Sequence, residues 1–270
     1  MTAIQSVAML HRYGIDKVEL SCGKTDKNDL NDLKKFVAKG MEIRLHNYFP
    51  NYEEPFVMNL GSRNKDTRRQ SRKLIERALS WSSELGSDFY AFHAGFRYDL
   101  HTSELGGNTS SHVLRPLKET QQIFFDEFFE LQSLASNLGI VLAVENNVYD
   151  EKNYQVHADN NPFLFCGDEA SAFNEKLEIP ILLDFAHLNV SAQTLNFSRA
   201  DALKKISHNI VGYHFSDNNG LADTNKHVTE NSWFLQYIDP NIKYLTLEVY
   251  TSDMKELHRD IEILEKRFER

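Results

Sequence analysis

Acidic and histidine side chains recur at the ends of short apolar segments along this 270-residue chain. Glu145, Asp184, His214 and Glu248 each follow such a segment, and four more histidines stand at or just beyond similar positions: His46, His93, His187 and His227. Carboxylate and imidazole groups are the ligands that suit Zn, Mn, Co, Fe or Mg rather than a thiolate-bound ion. The first four residues therefore predict a mixed site for a divalent metal.

Taken alone, each of these residues is weak evidence, because a single histidine or glutamate at a strand end is more often hydrogen-bonded or solvated than bound to a metal. The set is harder to explain in that way. Glu145 and Asp184 directly follow uninterrupted apolar runs, and a buried carboxylate is costly without a partner or a metal. We therefore favour one shared site over separate structural roles.

The elements that must position these residues repeat along the chain as an amphipathic helix, a Gly or Pro stop and a short apolar strand. One helix is predicted over about 66–85, with Leu74, Ala78, Trp81 and Leu85 on one stripe, and a longer one over about 114–138, with Ile123, Phe124, Leu131, Leu134 and Leu138. Seven strands are predicted at 17–20, 42–46, 89–92, 140–145, 181–184, 210–214 and 244–248.

Continuous apolar strands that alternate with helices indicate an α/β fold with a parallel sheet covered on both sides. Because polar residues end strands along the whole chain, we predict a (β/α)8-type TIM barrel, in which every strand end faces one mouth. Its length favours a single domain over residues 1–270, since such a barrel takes about 250 residues. The chain opens on a predicted helix at 3–13, so the first barrel strand is altered, absent or located before Met1.

The composition of the chain indicates which classes of partner are less expected. With 39 acidic and 30 basic residues, the net charge is −9, which makes nucleic acid a less favoured partner than a small molecule. No run of 18 apolar residues and no leader pattern is present, so a cytoplasmic protein without a membrane partner is expected. Cys22 and Cys166 are isolated in sequence and need no disulfide. The oligomeric state is open, and a homo-oligomer is one of the options.

Four segments resemble those of the xylose isomerase-like TIM barrels, which include sugar epimerases, sugar isomerases and endonuclease IV. They are Val144-Glu145-Asn146, Leu183-Asp184-Phe185-Ala186-His187, Tyr213-His214-Phe215-Ser216-Asp217 and Leu247-Glu248. In the isomerase and epimerase branch, the resemblance implies that Glu145, Asp184, His214 and Glu248 bind one divalent ion. It also implies that Glu145 and Glu248 act as acid and base, and that His187 touches substrate oxygens.

The endonuclease IV branch carries extra metal-binding histidines on segments that resemble His46-Asn47-Tyr48-Phe49 and Phe92-His93-Ala94-Gly95. This resemblance implies that His46, His93, His187, His227 and Asp223 are further metal ligands, which would allow up to three ions. The close Asp-x-His pair of that branch is two residues wider here, as Asp223-Thr224-Asn225-Lys226-His227.

Two long polar segments, 96–112 and 146–162, are predicted to be loops that cover the ligand at the active face. Arg97 lies in the first of them, and its guanidinium suits a substrate phosphate or carboxylate. An exposed surface arginine is the equally weighted alternative.

Three functions remain in order of preference. The first is a metal-dependent sugar or sugar-phosphate isomerase or epimerase, which moves a proton through a metal-stabilised enediolate. The second is an endonuclease IV-like phosphodiesterase that cleaves DNA at abasic sites. The third is a barrel that only binds a metabolite, which would leave the acid-base pair idle. The sequence names neither the substrate nor the metal.

Overall fold

The computed structural model of the chain describes residues 2–22, 25–51, 54–104, 112–165 and 178–268. The α-helices are α1 (Ala3–Arg12), α2 (Asp29–Val37), α3 (Lys65–Glu84), α4 (Leu117–Asn137), α5 (Glu151–His157), α6 (Phe185–Thr194), α7 (Arg199–Ile206) and α8 (Met254–Phe268). The strands are β1 (Lys17–Leu20), β2 (Glu42–His46), β3 (Phe89–His93), β4 (Val141–Glu145), β5 (Ile181–Asp184), β6 (Ile210–Phe215) and β7 (Tyr244–Leu247).

The strand order in the sheet follows the order along the chain, from β1 to β7. The pairs β1–β2, β2–β3, β5–β6 and β6–β7 are parallel. All seven predicted strands are therefore confirmed, with bounds that shift by one residue at most. The described residues before β1 form α1 and contain no strand, which agrees with an absent or altered first strand.

Two compact units make up the chain, one of Met1–Val144 with Pro162–Leu164 and one of Glu145–Asn161 with Phe165–Arg270, called here the N-terminal and C-terminal units. The single domain expected over residues 1–270 stays a prediction.

Aromatic packing fills the core of each unit. In the N-terminal unit, Phe128 of α4 lies with its ring centre 6.4 Å from Phe92 of β3 and 5.7 Å from Phe124. In the C-terminal unit, the ring of Phe185 packs 5.0 Å from both Tyr213 and Phe234. The large number of Phe and Tyr residues is thus used to bury apolar surface behind the strands.

Capping residues and glycines mark the ends of the helices, as α3 shows. Asn64 caps α3 by accepting a hydrogen bond from the Asp66 amide, and Gly86 follows the helix with a positive φ of 73° that glycine adopts without strain. The predicted stripe of α3 is confirmed as buried. In α4, however, the buried stripe is Phe124, Phe128, Leu131 and Ala135, while Leu134 and Leu138 are exposed.

The second of the two long polar segments contains a helix. Residues 105–111 of the first lie outside the described residues, as does Cys166. The second contains α5, and its Tyr149 is fully buried with its hydroxyl donating to the Ala158 carbonyl at 2.7 Å. In the described ranges, no helix combines the length and apolarity needed to cross a membrane.

Candidate metal centre

Four predicted ligands, all residues of the C-terminal unit, come together at the carboxyl ends of strands. Glu145 ends β4, Asp184 ends β5, His214 lies near the end of β6, and Glu248 directly follows β7. One ligand atom from each residue lies within 4.8 Å of those of the other three. The folded chain therefore brings these four side chains together, as the sequence predicted.

A register shift between β5 and β6 decides which side chains face each other. Ile181 pairs with Ile210, but Leu182 pairs with Gly212, so Val211 is an extra residue in β6. As a result Asp184 stands opposite His214, whereas an unshifted register would place Tyr213 there. Since side chains alternate across a strand, a shift of one residue changes the face on which His214 lies.

Gly212 permits this register because it leaves room for its neighbours. A Cβ at this position would lie 3.0 Å from Leu182 Cδ1 and 3.0 Å from the Tyr244 carbonyl oxygen. Such contacts are tighter than ordinary van der Waals packing, so a side chain here would push β6 away from β5 or β7. No sequence pattern considered above identified this glycine as part of the site.

Asp184 holds two roles at one position. One carboxylate oxygen, Oδ1, accepts a hydrogen bond of 2.7 Å from the His187 amide and so caps α6. The other, Oδ2, is buried, and no hydrogen-bond donor reaches it from the residues that the structure describes. Burial raises the pKa of Asp184 to about 7, with Glu145 and Glu248 adding to the rise while His187 and His214 oppose it.

His187 is fixed by contacts on both ring nitrogens. Its Nδ1 donates to the Asn146 carbonyl at 2.8 Å, and its Nε2 lies 3.2 Å from Asp223 Oδ2. Burial lowers the pKa of His187, but the carboxylates of Asp184, Asp223 and Glu145 together raise it well above its usual value. A charged His187 donates from both nitrogens, which matches the acceptors on its two sides.

Asn146 joins the end of β4 to the end of β5 and was not predicted to have a role. Its amide nitrogen donates to the Asp184 carbonyl at 3.0 Å, and its amide oxygen accepts from the Asp184 amide at 2.7 Å. With its own carbonyl bonded to His187, Asn146 holds both residues in place. Its position directly after Glu145 was the signal available in the sequence.

His214 lies between the two glutamates. Its Nδ1 is 2.8 Å from Glu248 Oε2 and 3.4 Å from Glu145 Oε1. The Glu145 side chain is 1% exposed, whereas that of Glu248 is 35% exposed. The two predicted acid-base residues thus differ in solvent access, and Glu248 is the one nearer to water.

The donor set fits a divalent cation. Three carboxylates and an imidazole are oxygen and nitrogen ligands in the number and type that such ions take. Carboxylates that share a buried site repel one another unless a proton or a cation lies between them. The buried Oδ2 of Asp184, which accepts no hydrogen bond from the described chain, is one atom that a cation would satisfy.

Three more histidines were predicted as additional metal ligands. In the N-terminal unit, His46 ends β2 and His93 ends β3, with ring centres 6.2 Å apart, and His46 Nδ1 lies 3.9 Å from Glu19 Oε1. In the C-terminal unit, His227 Nδ1 is 2.5 Å from Asp260 Oδ2 of α8 and its Nε2 is 3.0 Å from Glu256 Oε2. Among the described residues, His227 does not join the group of four.

Arg97 differs from the exposed arginine considered above, because it is only 7% exposed. Its Nε donates to the Arg115 carbonyl at 2.9 Å, and Arg115 Nε donates back to the Arg97 carbonyl at 3.0 Å. These two bonds join Arg97, near the start of the polar segment 96–112, to Arg115 just beyond its end. A role for Arg97 in binding substrate stays a prediction.

The chain matches the xylose isomerase-like TIM barrel family over residues 7–237 and belongs to it. Its predicted fold class is thereby confirmed. No curated protein sequence matches the chain.

Several solved structures are similar in fold. A D-tagatose 3-epimerase-like protein has a TM-score of 0.71 at 18% identity, with 98% of this chain and 93% of that chain covered. The 3-keto-D-glucoside 4-epimerase of E. coli has a TM-score of 0.66 at 17% identity, covering 97% and 94%. Endonuclease IV from Thermus thermophilus has a TM-score of 0.58 at 13% identity, covering 98% and 93%. At these identities the likeness concerns the fold.

Proposed function

We propose that this protein is a divalent-metal-dependent isomerase or epimerase that acts on a sugar or sugar phosphate. The observation that carries the proposal is the group of Glu145, Asp184, His214 and Glu248, whose ligand atoms lie within 4.8 Å of one another. Two further observations support it. The chain belongs to the xylose isomerase-like TIM barrel family, and two of the solved structures with a similar fold bear epimerase names.

In this proposal the four residues hold one divalent ion. The ion would act as a Lewis acid toward a sugar carbonyl and the neighbouring hydroxyl and would stabilise the enediolate of the substrate. Zn, Mn, Co, Fe and Mg all suit carboxylate and imidazole ligands, so the residues alone do not select among them.

Glu145 and Glu248 are the proposed acid and base. One of them removes the proton from the carbon next to the carbonyl, and the other returns a proton to the enediolate. They come from strands β4 and β7, and both lie within 3.4 Å of His214 Nδ1. This arrangement supports two carboxylates that reach one substrate from different strands.

His187 is proposed to bind substrate oxygens through Nε2. The bond from Nδ1 to the Asn146 carbonyl fixes the ring, so Nε2 is the nitrogen left to face a ligand. In the structure Nε2 faces Asp223, whose side chain is 24% exposed. A substrate hydroxyl that takes this place would receive a charged hydrogen bond. Arg97 is proposed as a second substrate contact on the weaker ground of its residue type alone.

Phosphodiester hydrolysis is the second candidate, and one observation favours it. His46 and His93 end adjacent strands of the N-terminal unit, as the resemblance to endonuclease IV implies for ligands of further ions. Against it, both ring nitrogens of His227 already face carboxylates of α8. If His227 is not a metal ligand, His187 and Asp223 are the two predicted residues of the C-terminal unit that remain for a further ion.

Metal content and activity test the proposal together. The full chain is purified without chelator, and its metal content is measured per chain by elemental analysis. The same preparation is assayed on a panel of ketoses and their phosphates and on a DNA duplex that carries an abasic site. We expect one ion per chain and epimerisation or isomerisation of at least one sugar.

Two or three ions with cleavage of the duplex would replace the proposal by the nuclease function. If no ion binds, even after incubation with Zn²⁺, Mn²⁺ and Mg²⁺, both metal-dependent functions would be excluded. The remaining function would then be that of a barrel that only binds a metabolite. A preparation of Asp184→Asn provides the background, because a contaminating enzyme would keep its activity there.

A further inference from the structure

A cavity of about 440 Å³ lies in the C-terminal unit, beside the helices that follow β5, and none of the four proposed ligands lines it. Its walls include Asn189 of α6, Arg199 of α7, Asn218 of the loop after β6, and Trp233. The volume falls within the range of about 300–1,000 Å³ that small-molecule sites occupy. Five of its ten lining residues are Asn or Gln, and one Arg and one Asp add charge, so the cavity is polar.

Arg199 is the residue that gives this cavity its chemistry. Its guanidinium carbon lies 4.2 Å from the ring centre of Trp233, and its Nη1 donates to Asn189 Oδ1 at 2.6 Å. It forms no ion pair with an Asp or Glu anywhere in the described part of the chain. The cation is half-buried, held in one orientation, and without a counter-charge of its own.

A chain of hydrogen bonds between side-chain amides fixes the partner of Arg199. Asn189 Nδ2 donates to Asn218 Oδ1 at 2.8 Å, and Asn218 Nδ2 donates to the Ala186 carbonyl at 2.9 Å. Each amide is oriented by its neighbour, so the donors of the guanidinium that remain are fixed in advance. Such preorganisation lowers the entropy that a ligand must overcome on binding.

We propose that this cavity binds the oxyanion group of a small ligand, a carboxylate or a phosphate, on Arg199. A guanidinium presents a planar fork of donors that matches both groups. Asp217 also lines the cavity, but its Oδ2 accepts from Ser232 Oγ at 2.6 Å and its Oδ1 from the Asn218 amide at 2.8 Å. These bonds hold the Asp217 carboxylate toward Ser232 and the main chain, and Arg199 is the cationic residue among those that line the cavity.

The site does not depend on the proposed reaction, and the test uses metal-free protein so that phosphate cannot bind an ion at the metal centre. The chain contains two tryptophans, and the ¹⁵N-labelled full-length protein therefore gives two indole N–H signals. The Trp233→Phe variant assigns them. Sodium phosphate and sodium acetate are each titrated at constant ionic strength against sodium chloride.

We expect the Trp233 signal to shift and saturate with phosphate, acetate or both, while the Trp81 signal stays in place. Saturation by phosphate alone identifies a phosphate site, and saturation by acetate alone identifies a carboxylate site. Arg199→Gln should weaken the binding by about tenfold or more, because it removes a charge-assisted hydrogen bond. Arg69→Gln makes the same charge change at an exposed ion pair with Asp66 and should have no effect.

No saturable shift, or an equal shift with chloride, would overturn the proposal, as would unchanged binding in Arg199→Gln. If Arg199→Gln does not fold, Arg199→Lys replaces it, since lysine keeps the charge and loses the planar fork. Unchanged affinity in Arg199→Lys would then exclude the fork as the binding group. None of these outcomes bears on the metal content of the wild-type chain.

Discussion

The strand ends of the two units carry the same types of side chain but satisfy them differently. In the C-terminal unit, three carboxylates crowd around one histidine, and one buried carboxylate oxygen accepts no hydrogen bond from the described chain. In the N-terminal unit, two histidines accompany a single carboxylate, with His46 Nδ1 3.9 Å from Glu19 Oε1 and the ring centres of His46 and His93 6.2 Å apart. Carboxylates cannot donate to one another when ionised, whereas imidazoles both donate and accept.

This difference is the reason that the proposed metal site is placed in the C-terminal unit. Three carboxylates with one imidazole hold more negative charge than the site itself can balance. Two imidazoles beside one carboxylate can balance their charge by protonation. The contrast is therefore a matter of donor type more than of strand geometry, and substitutions in either unit test it.

Asp184→Asn should have the largest effect. Asparagine caps a helix as well as aspartate does, so α6 should keep its first turn while the charge is lost. We expect the affinity for Mn²⁺ or Zn²⁺, measured by calorimetry, to fall by more than about 100-fold, beyond the loss of about 10–100-fold typical of residues outside the ligand shell. Asp201→Asn, at an exposed position in the first turn of α7, is the matched control. Equal affinity in both variants would exclude Asp184 as a ligand.

Glu248→Gln should lower kcat by about 10²- to 10⁴-fold on the sugar that the screen identifies, because glutamine cannot transfer a proton. Little folding stability should be lost, since this side chain is one-third exposed and the Glu248 amide still donates to the Phe215 carbonyl. Steady-state kinetics and thermal unfolding measure the two effects. Glu230→Gln changes an exposed glutamate of the same unit. A Glu248→Gln enzyme as fast as this control would remove Glu248 from the chemistry.

Gly212→Ala tests whether the register of β6 sets the site. The added Cβ has no room between Leu182 and Tyr244, and overpacking of this kind costs about 1–3 kcal/mol of unfolding free energy. We also expect weaker metal binding, because His214 moves with the strand. Denaturant unfolding and calorimetry provide the two measurements. Val211→Ala, at the neighbouring half-buried residue, adds no atom and should bind metal normally. Unchanged metal binding in Gly212→Ala would mean that the register tolerates the extra atom.

His46→Gln and His93→Gln should have the smallest effect. If the C-terminal unit alone binds metal, elemental analysis of either variant should still give one ion per chain. A fall from a larger number of ions in the wild-type protein to a smaller one in these variants would show that the N-terminal unit binds metal as well. That result would favour the phosphodiesterase.

Much of the fold could be read from the sequence because its signals are local. Short apolar segments, several of them directly preceded by Gly or Pro, predicted all seven strands, and the stop at Gly86 matches the end of α3. The stripe of α4 was partly wrong, since Leu134 and Leu138 are apolar but face away from the core. Tyr149 lies in the predicted segment 146–162, where it is buried with its hydroxyl bonded to the main chain, and the role of this segment in covering a ligand stays a prediction. Residue type did not reveal which neighbour each side chain would meet.

The sequence by itself determined which groups stand at the strand ends and that Glu145, Asp184, His214 and Glu248 follow apolar segments. Only the tertiary structure decided that His214 faces Asp184, through the extra residue Val211. It also decided that Asn146 clamps the two strand ends and that Arg199 lies on Trp233 without a counter-charge. The reason is physical: strand propensity and hydrophobic periodicity are local, whereas register and side-chain partners depend on contacts between residues far apart in the chain.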